Sequence, residues 1–214
     1  MSERNAERQL VMRCAAGDER AWEELYTANA PIVTRFLVRM LGPASHVDDL
    51  VQQVFVEMFS TIRRFRGDAR LSTWLYGIAR NVAWSHLRTE KRRKRRHSAW
   101  KDNLHVMSNG IIDGRRQAEA RMLVGALDDA LQHLPLKQRA VWVMRELEGL
   151  STEEVGRALG IKPGTVRSRL FSARNAVMER LKREREASGI VRAISDAEAE
   201  FLYRSEVNVK RLET

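Results

Sequence analysis

Apolar residues return at helical spacing along almost the whole of this 214-residue chain, while the period-two alternation of strands bounded by turn residues is missing. That pattern confines the fold class to all-α. Three segments carry the period in the first half: "AWEELYTANAPIVTRFLVRML", "HVDDLVQQVFVEMFSTIRRF" and "LSTWLYGIARNVAWSHLRTEKRRKRRH". After them "SAWKDNLHVMSNGIIDGRRQ" holds two glycines and no sustained period, as a flexible linker does. The expected organisation is a small helical domain over 1–97, a linker over 98–117, a second small helical domain over 118–185 and an extension over 186–214. The extension carries one short helix capped near Ser195.

Charge narrows the class of partner. The net charge is +10, and it is concentrated: from Ser60 to Trp100 twelve Lys and Arg stand against Asp68 and Glu90 alone. That surplus equals the net charge of the whole chain and points to an anionic partner, nucleic acid above all. The single cysteine, Cys14, excludes an intrachain disulfide framework and a cysteine-rich zinc site, and is expected to be a buried thiol in a reducing compartment. No apolar signal core opens the chain and no run approaches the roughly 18 apolar residues of a membrane span, so no membrane insertion and a cytoplasmic location are expected.

"LSTEEVGRALGIKPGTVRSRLFSAR" is the most specific stretch. Ser151 with Glu154 has the spacing of a capping box, Leu150 and Val155 that of a hydrophobic staple, and Gly160 is placed to end the first helix. Pro163 fits the first position of a second helix, where its missing N–H is harmless. Val155, Leu159, Ile161, Val166 and Leu170 then supply the seam of a helix-turn-helix. At about 100° per residue, Val166, Leu170, Ala173 and Val177 face inward. Thr165, Ser168, Phe171 and Ser172 fall opposite, with Arg167 and Arg169 on the flanks. Small polar and apolar groups over base edges, flanked by guanidinium groups, suit a major groove; the other reading is a solvated basic helix in a bundle.

The same projection divides Ser72 to Lys91. Leu75, Ile78, Ala79 and Val82 form a buried stripe, and Trp74, Gly77, Arg80, Asn81, Trp84, Arg88 and Lys91 share the opposite face. Indoles interleaved with arginine are what unpaired bases need, a surface to stack on and a cation for the phosphate. Alternatively, Trp74 or Trp84 completes a core against another helix. The preceding loop "FRGDARLS" can hold a base turned out of the stack. "KRRKRRH" adds nonspecific phosphate attraction. In "DDLVQQVFVEMF", Val51, Val54, Phe55, Met58 and Ile62 make the apolar stripe, and Asp48, Asp49, Gln52, Gln53 and Glu57 an acidic surface, which suggests a basic protein partner or a merely solvated face.

Together these residues resemble the extracytoplasmic-function branch of bacterial RNA polymerase sigma factors. "DDLVQQVF" and "FRGDARLSTWLYGIARNVAWSHLR" are similar to that family's second conserved region, and "LPLKQRAVWVMRELEGLSTEEVGRALGIKPGTVRSRLFSAR" to its fourth. The resemblance implies core RNA polymerase as partner, bound through the clamp helices of its largest subunit and its flap, with Asp49, Gln52 and Gln53 on the clamp side. It implies promoter DNA in two forms. Single-stranded minus-ten DNA falls to Phe65, Arg66, Arg70, Trp74, Arg80, Asn81, Trp84 and Arg88. Duplex minus-thirty-five DNA falls to Thr165, Arg167, Ser168, Arg169, Phe171 and Arg174. An anti-sigma factor is a further expected partner. Ser172 stands where relatives often carry a basic residue, so a different minus-thirty-five sequence is expected, and the extension after Glu186 is expected to be regulatory.

Two other classes compete. An enzyme would need a site, and the sequence has no phosphate-binding glycine loop, no H-E-x-x-H, no G-x-S-x-G, and histidines at 46, 86, 97, 105 and 133 that are not at helix-neighbour spacing. No catalytic residue, metal or cofactor is therefore expected. A stand-alone helix-turn-helix regulator, binding duplex DNA as a dimer, would leave the tryptophan-bearing face without a purpose.

Overall fold

The computed structural model describes residues 3–42, 46–96 and 125–188, and among these every regular element is helical. In chain order they are α1 (Glu3–Ala15), α2 (Glu19–Leu41), α3 (Val47–Thr61) with a 3-10 turn at Ile62–Arg64, and α4 (Leu71–Arg96). Then come α5 (125–133), α6 (Leu136–Trp142) running into a π-helical turn at Val143–Leu147, α7 (Thr152–Leu159) and α8 (Pro163–Ser188). The expected linker, the cap near Ser195 and nearly all of the C-terminal extension lie outside the described residues.

Contacts divide the chain into Met1–Val106 with Pro135–Leu170, and Met107–Leu134 with Phe171–Thr214. In this partition the segment from Pro135 to Leu170 packs with the first helical region. In the first unit α2, α3 and α4 pack against one another, α1 lies on α2, and α4 also packs against α7. The core is built from the predicted stripes: Val51, Val54, Phe55, Met58 and Ile62 are buried, as are Leu75, Ile78, Ala79 and Val82. α2 brings Leu25, Val33, Phe36, Leu37 and Met40, all fully buried. Its start is set by Asp18, whose carboxylate accepts from the N–H groups of Arg20 and Ala21 at 3.0 and 3.2 Å. Cys14 is a buried free thiol.

The helix-turn-helix forms as its sequence dictates. Ser151 Oγ accepts from the Glu154 N–H at 3.1 Å while the Glu154 carboxylate accepts from the Ser151 N–H at 2.8 Å. Gly160 ends α7 with φ at 64°, a left-handed conformation that costs glycine nothing sterically, and α8 opens at Pro163. Val155, Leu159, Val166 and Leu170 are buried, with Ile161 half-buried. In the second unit Arg180 of α8 clasps Asp129 of α5 through Nε at 3.1 Å and a terminal nitrogen at 2.8 Å, and Ala130, Leu131, Ala173, Val177 and Leu181 are buried.

Candidate nucleic-acid interface

The loop before α4 is held by a helix whose sequence gave no sign of such a role. Glu7 of α1 accepts from the N–H of Leu71, one of the orphan donors at the start of α4, at 3.0 Å, and Arg8 donates to the carbonyl of Gly67 at 3.4 Å. Within this frame Phe65 and Trp74 stack as tilted rings 5.3 Å apart, both half-buried, and Arg66 and Arg70 point to solvent. A cavity of about 230 Å³ opens among Phe65, Gly67, Thr73, Trp74 and Gly77.

One turn further along, the Arg80 guanidinium lies 4.7 Å over the Trp84 ring. Burial holds the Arg80 pKa below its ordinary value. Asn81, Arg88 and Lys91 on the same helix are exposed. The projection from sequence placed Trp74, Gly77, Arg80 and Trp84 on an outer face, and here the structure differs. That stretch is roofed by the helix-turn-helix: Arg157 and Ala158 of α7 complete the first cavity, and Leu159, Ile161 and Arg169 join Arg80 and Trp84 around a second of about 200 Å³. A Cβ added at Gly77 would stand 3.0 Å from the carbonyl oxygen of Ala158, so a side chain here would press on the α7 backbone, which would have to give by a few tenths of an ångström. The indole-bearing face is apolar enough to recruit an apolar cover, which the alternative reading of Trp84 anticipated.

Three polar anchors hold the cover in place, and sequence reasoning found none of them. Arg139 of α6, 5% exposed, donates to the carbonyl of Met40 at 2.6 Å, placing a cation at the negative end of α2. Burial pushes its pKa down to about 10. The π-helical turn, closed by the Glu148 N–H donating to the Val143 carbonyl at 3.0 Å, delivers Glu148 to α2 and α4. Its carboxylate, 2% exposed, accepts from Arg35 at 3.2 and 2.8 Å and from the Tyr76 hydroxyl at 2.6 Å. Burial raises the Glu148 pKa, but the hydrogen bonds from Arg35 and Tyr76, with the charges of Arg35 and Arg39, outweigh it and leave the group more acidic than usual. Burial and then the bond to Glu148 push Tyr76 up. At the edge, Arg70 lies 4.0 Å from Glu154.

On α8 the structure treats the predicted residues unequally. Arg167, Ser168 and Phe171 are exposed, Phe171 at 67%, and Thr165 is half-buried, its carbonyl accepting from the Ser168 hydroxyl at 3.1 Å. Arg169 is half-buried on the cavity shared with Trp84, away from the exposed side, and Arg174 is also half-buried. The helical wheel put Arg169 on a flank, and that flank is turned toward α4.

On α3, Asp48, Asp49, Gln52 and Gln53 are exposed, Asp49 lying 4.0 Å from His46. Beside them is an apolar groove that the sequence stripe did not reveal. Tyr26 stacks on Phe55 at 4.5 Å and Trp22 on Phe59 at 4.6 Å, leaving Val56 67% and Phe59 61% exposed around a cavity of about 460 Å³. Val56 and Phe59 lie one helical step outside the buried stripe, so the signal was present as surplus apolar residues on a polar flank.

Sigma-70 region 2 matches residues 25–93 and Sigma-70, region 4 matches residues 125–177. The RNA polymerase sigma-H factor of Pseudomonas aeruginosa is 32% identical over 183 residues, covering 82% of this chain and 94% of its own length. The ECF RNA polymerase sigma-E factor of Escherichia coli K12 is 34% identical over 184 residues, covering 83% and 95%. The fold is shared with the sigma factor RpoE in its complex with the anti-sigma factor NepR from Bartonella quintana, at a TM-score of 0.60 and 22% identity over 75% of this chain and 96% of that one. It is shared too with CnrH in complex with the cytosolic domain of CnrY, at 0.61 and 22% over 83% and 97%. Two sigma-70 regions in this order define a transcription-initiation factor. The chain belongs to the extracytoplasmic-function family of RNA polymerase sigma factors, which direct the polymerase to promoters.

Proposed function

We propose a division of this task among three surfaces. Asp49, Gln52 and Gln53, with the apolar groove of Tyr26, Val56 and Phe59 beside them, dock on the clamp helices of core RNA polymerase; an exposed apolar patch rimmed by acidic residues is the kind of surface a basic helical partner covers. Phe65, Arg66, Arg70, Trp74, Arg80, Asn81, Trp84 and Arg88 take the unpaired minus-ten strand, stacking bases on the aromatic rings. Thr165, Arg167, Ser168 and Phe171 read the duplex minus-thirty-five element, with Arg169 and Arg174 supplying charge nearby. The factor works beside the polymerase in the cytoplasm, and an anti-sigma factor is its natural inhibitor. None of the described helices is long and apolar enough to cross a membrane.

The observation that carries this reading is the pairing of an aromatic, guanidinium-bearing face on α4 with a capped helix-turn-helix exposing Arg167 and Ser168. The test is run-off transcription by core polymerase, with and without the protein, on templates with randomised promoter elements. Transcripts that depend on the protein and share two spaced motifs are expected. Duplex binding without initiation would move the chain to the stand-alone regulators. For the extension after Glu186 we assign a regulatory or partner-binding role; deleting residues 187–214 with no change in promoter output or inhibitor binding would withdraw it.

A further inference from the structure

We infer that α1 is a brace for minus-ten discrimination: Glu7 and Arg8 are positioning residues that fix the shape of the loop before α4 by holding its backbone at Leu71 and Gly67. Neither residue belongs to the DNA-binding surfaces assigned above. The inference rests on the reading of that loop, with Trp74, as the part that takes the unpaired strand.

The start of α4 lacks a cap of its own. The helix opens at Leu71, and the residue before it, Arg70, carries only donors, so its side chain cannot accept from the orphan N–H groups of the first turn. The acceptor comes from the other side of the fold. Glu7 takes the Leu71 N–H at 3.0 Å, and a carboxylate there also suits the positive end of a 26-residue helix. The Trp74 N–H donates to the Arg70 carbonyl at 3.2 Å, so the turn that Glu7 anchors is the one carrying the Trp74 ring.

Arg8 holds the loop at a second point. Gly67 has φ at 72°, a left-handed conformation open to glycine at no steric cost. The Arg8 guanidinium lies where a side chain at 67 would stand: a Cβ there would meet Nε at 2.7 Å and Cζ at 3.3 Å. From that place it donates to the Gly67 carbonyl at 3.4 Å. Glycine thus serves the turn and makes room for the cation.

The brace is itself anchored. Glu7, Val11 and Cys14 follow one another on one stripe of α1 at helical spacing, and the last two are buried. α1 packs on α2 and on the 3-10 turn Ile62–Arg64 that leads into the loop. Between the two held points, Gly67, Asp68 and Ala69 line the cavity of about 230 Å³ beside Phe65 and Trp74. A pocket distinguishes one base from another when its walls are in place before the base arrives; a free loop loses entropy on binding and adapts to several bases.

Run-off transcription with core polymerase tests the brace, on templates with a randomised minus-ten element and a constant minus-thirty-five element. Wild type, Glu7→Ala, Glu7→Gln, Arg8→Ala and Trp74→Ala are compared by the ratio of preferred to other bases among the transcripts, by duplex binding and by melting temperature. Glu7→Ala and Arg8→Ala are each expected to lower the ratio about fivefold, the scale of one hydrogen bond or helix cap, and to leave duplex binding unchanged. Glu7→Gln, which keeps an acceptor oxygen, should restore most of the ratio. An unchanged ratio in both alanine variants, or a fall in output uniform over all minus-ten sequences, overturns the brace, whatever the melting temperature; α1 would then only stabilise the fold.

Trp74→Ala separates the two levels of the argument. If it keeps the wild-type ratio, the loop is not where bases are read, and the brace falls with that reading. If it loses the ratio while Glu7→Ala and Arg8→Ala keep it, the brace alone falls. Hydrogen exchange at the Leu71 amide gives a direct view of the cap: about fivefold faster exchange is expected in Glu7→Ala, and equal rates in Glu7→Ala and wild type would remove Glu7 from the brace.

Discussion

Helices α4 and α8 are each 26 residues long, basic, and carry outward aromatic residues, yet they end in opposite states. Phe171 of α8 is 67% exposed, whereas Trp74 and Trp84 of α4 are half-buried beneath α7. The difference lies in what each helix offers a neighbour. α4 presents a glycine between two indoles, a shallow apolar saddle that a helix can enter to within van der Waals contact. α8 presents arginine and serine around a single ring, and burying those without partners would cost more than the ring returns. A helical wheel identifies which side chains share a face; whether the chain covers that face depends on shape and on charges supplied from elsewhere.

The largest effect should separate the two helices. Trp74→Ala removes a stacking surface worth about 1–3 kcal/mol per base, so transcription should fall by roughly a hundredfold at the upper end while duplex binding is unchanged. Loss of both together, in run-off and gel-shift measurements, would erase the distinction. Arg167→Ala should cost about 1–3 kcal/mol if it contacts a base, seen as roughly tenfold lower output confined to particular minus-thirty-five sequences. A uniform loss over all promoter variants would reassign Arg167 to the phosphate backbone.

Smaller effects probe the cover. Gly77→Ala places a Cβ 3.0 Å from the Ala158 carbonyl and should weaken the docking of α7, raising single-strand binding roughly threefold. Unchanged binding together with an unchanged melting temperature would show that α7 does not sit there in solution. The smallest effect is with pH. Glu148 is more acidic in the folded protein than its ordinary value of 4.5, so its contribution is complete above that value and is lost as pH falls through the lowered one. Hydrogen exchange at amides of α7 should therefore be independent of pH near neutrality, after correction for intrinsic rates, and accelerate only below about 4.5. Acceleration beginning near pH 6 would implicate a histidine instead.

Local signals were legible wherever a few adjacent residues sufficed. The capping box of Ser151 and Glu154, the stop at Gly160, the start at Pro163 and the stripes of α3 and α4 follow from side-chain chemistry within one or two turns. The exposed acidic face of α3 and the exposure of Arg167, Ser168 and Phe171 follow from the same periodicity. Glu7 and Arg8, which hold the loop of Phe65 to Arg70 from some 60 residues away, carry no local signal, because a charged residue near a chain end looks the same whether or not it has a distant acceptor. Glu148 is the clearest case. Its value depends on a π-helical turn that rotates it onto Arg35 and Tyr76, and neither partner lies within reach of any sequence window. Arg169 shows the same limit: its flank was legible in the sequence, and its place beside Trp84 was not.

The sequence by itself determined an all-α chain, its helix ends, which side of each helix is apolar, and the family to which two spaced motifs belong, because these depend on backbone hydrogen bonds and on periodic burial. Only the tertiary structure decided which polar-looking faces are open. That choice rests on long-range pairing, Arg139 on the Met40 carbonyl, Glu148 between Arg35 and Tyr76, and Gly77 against Ala158, where desolvation and shape are settled jointly by residues far apart in the chain.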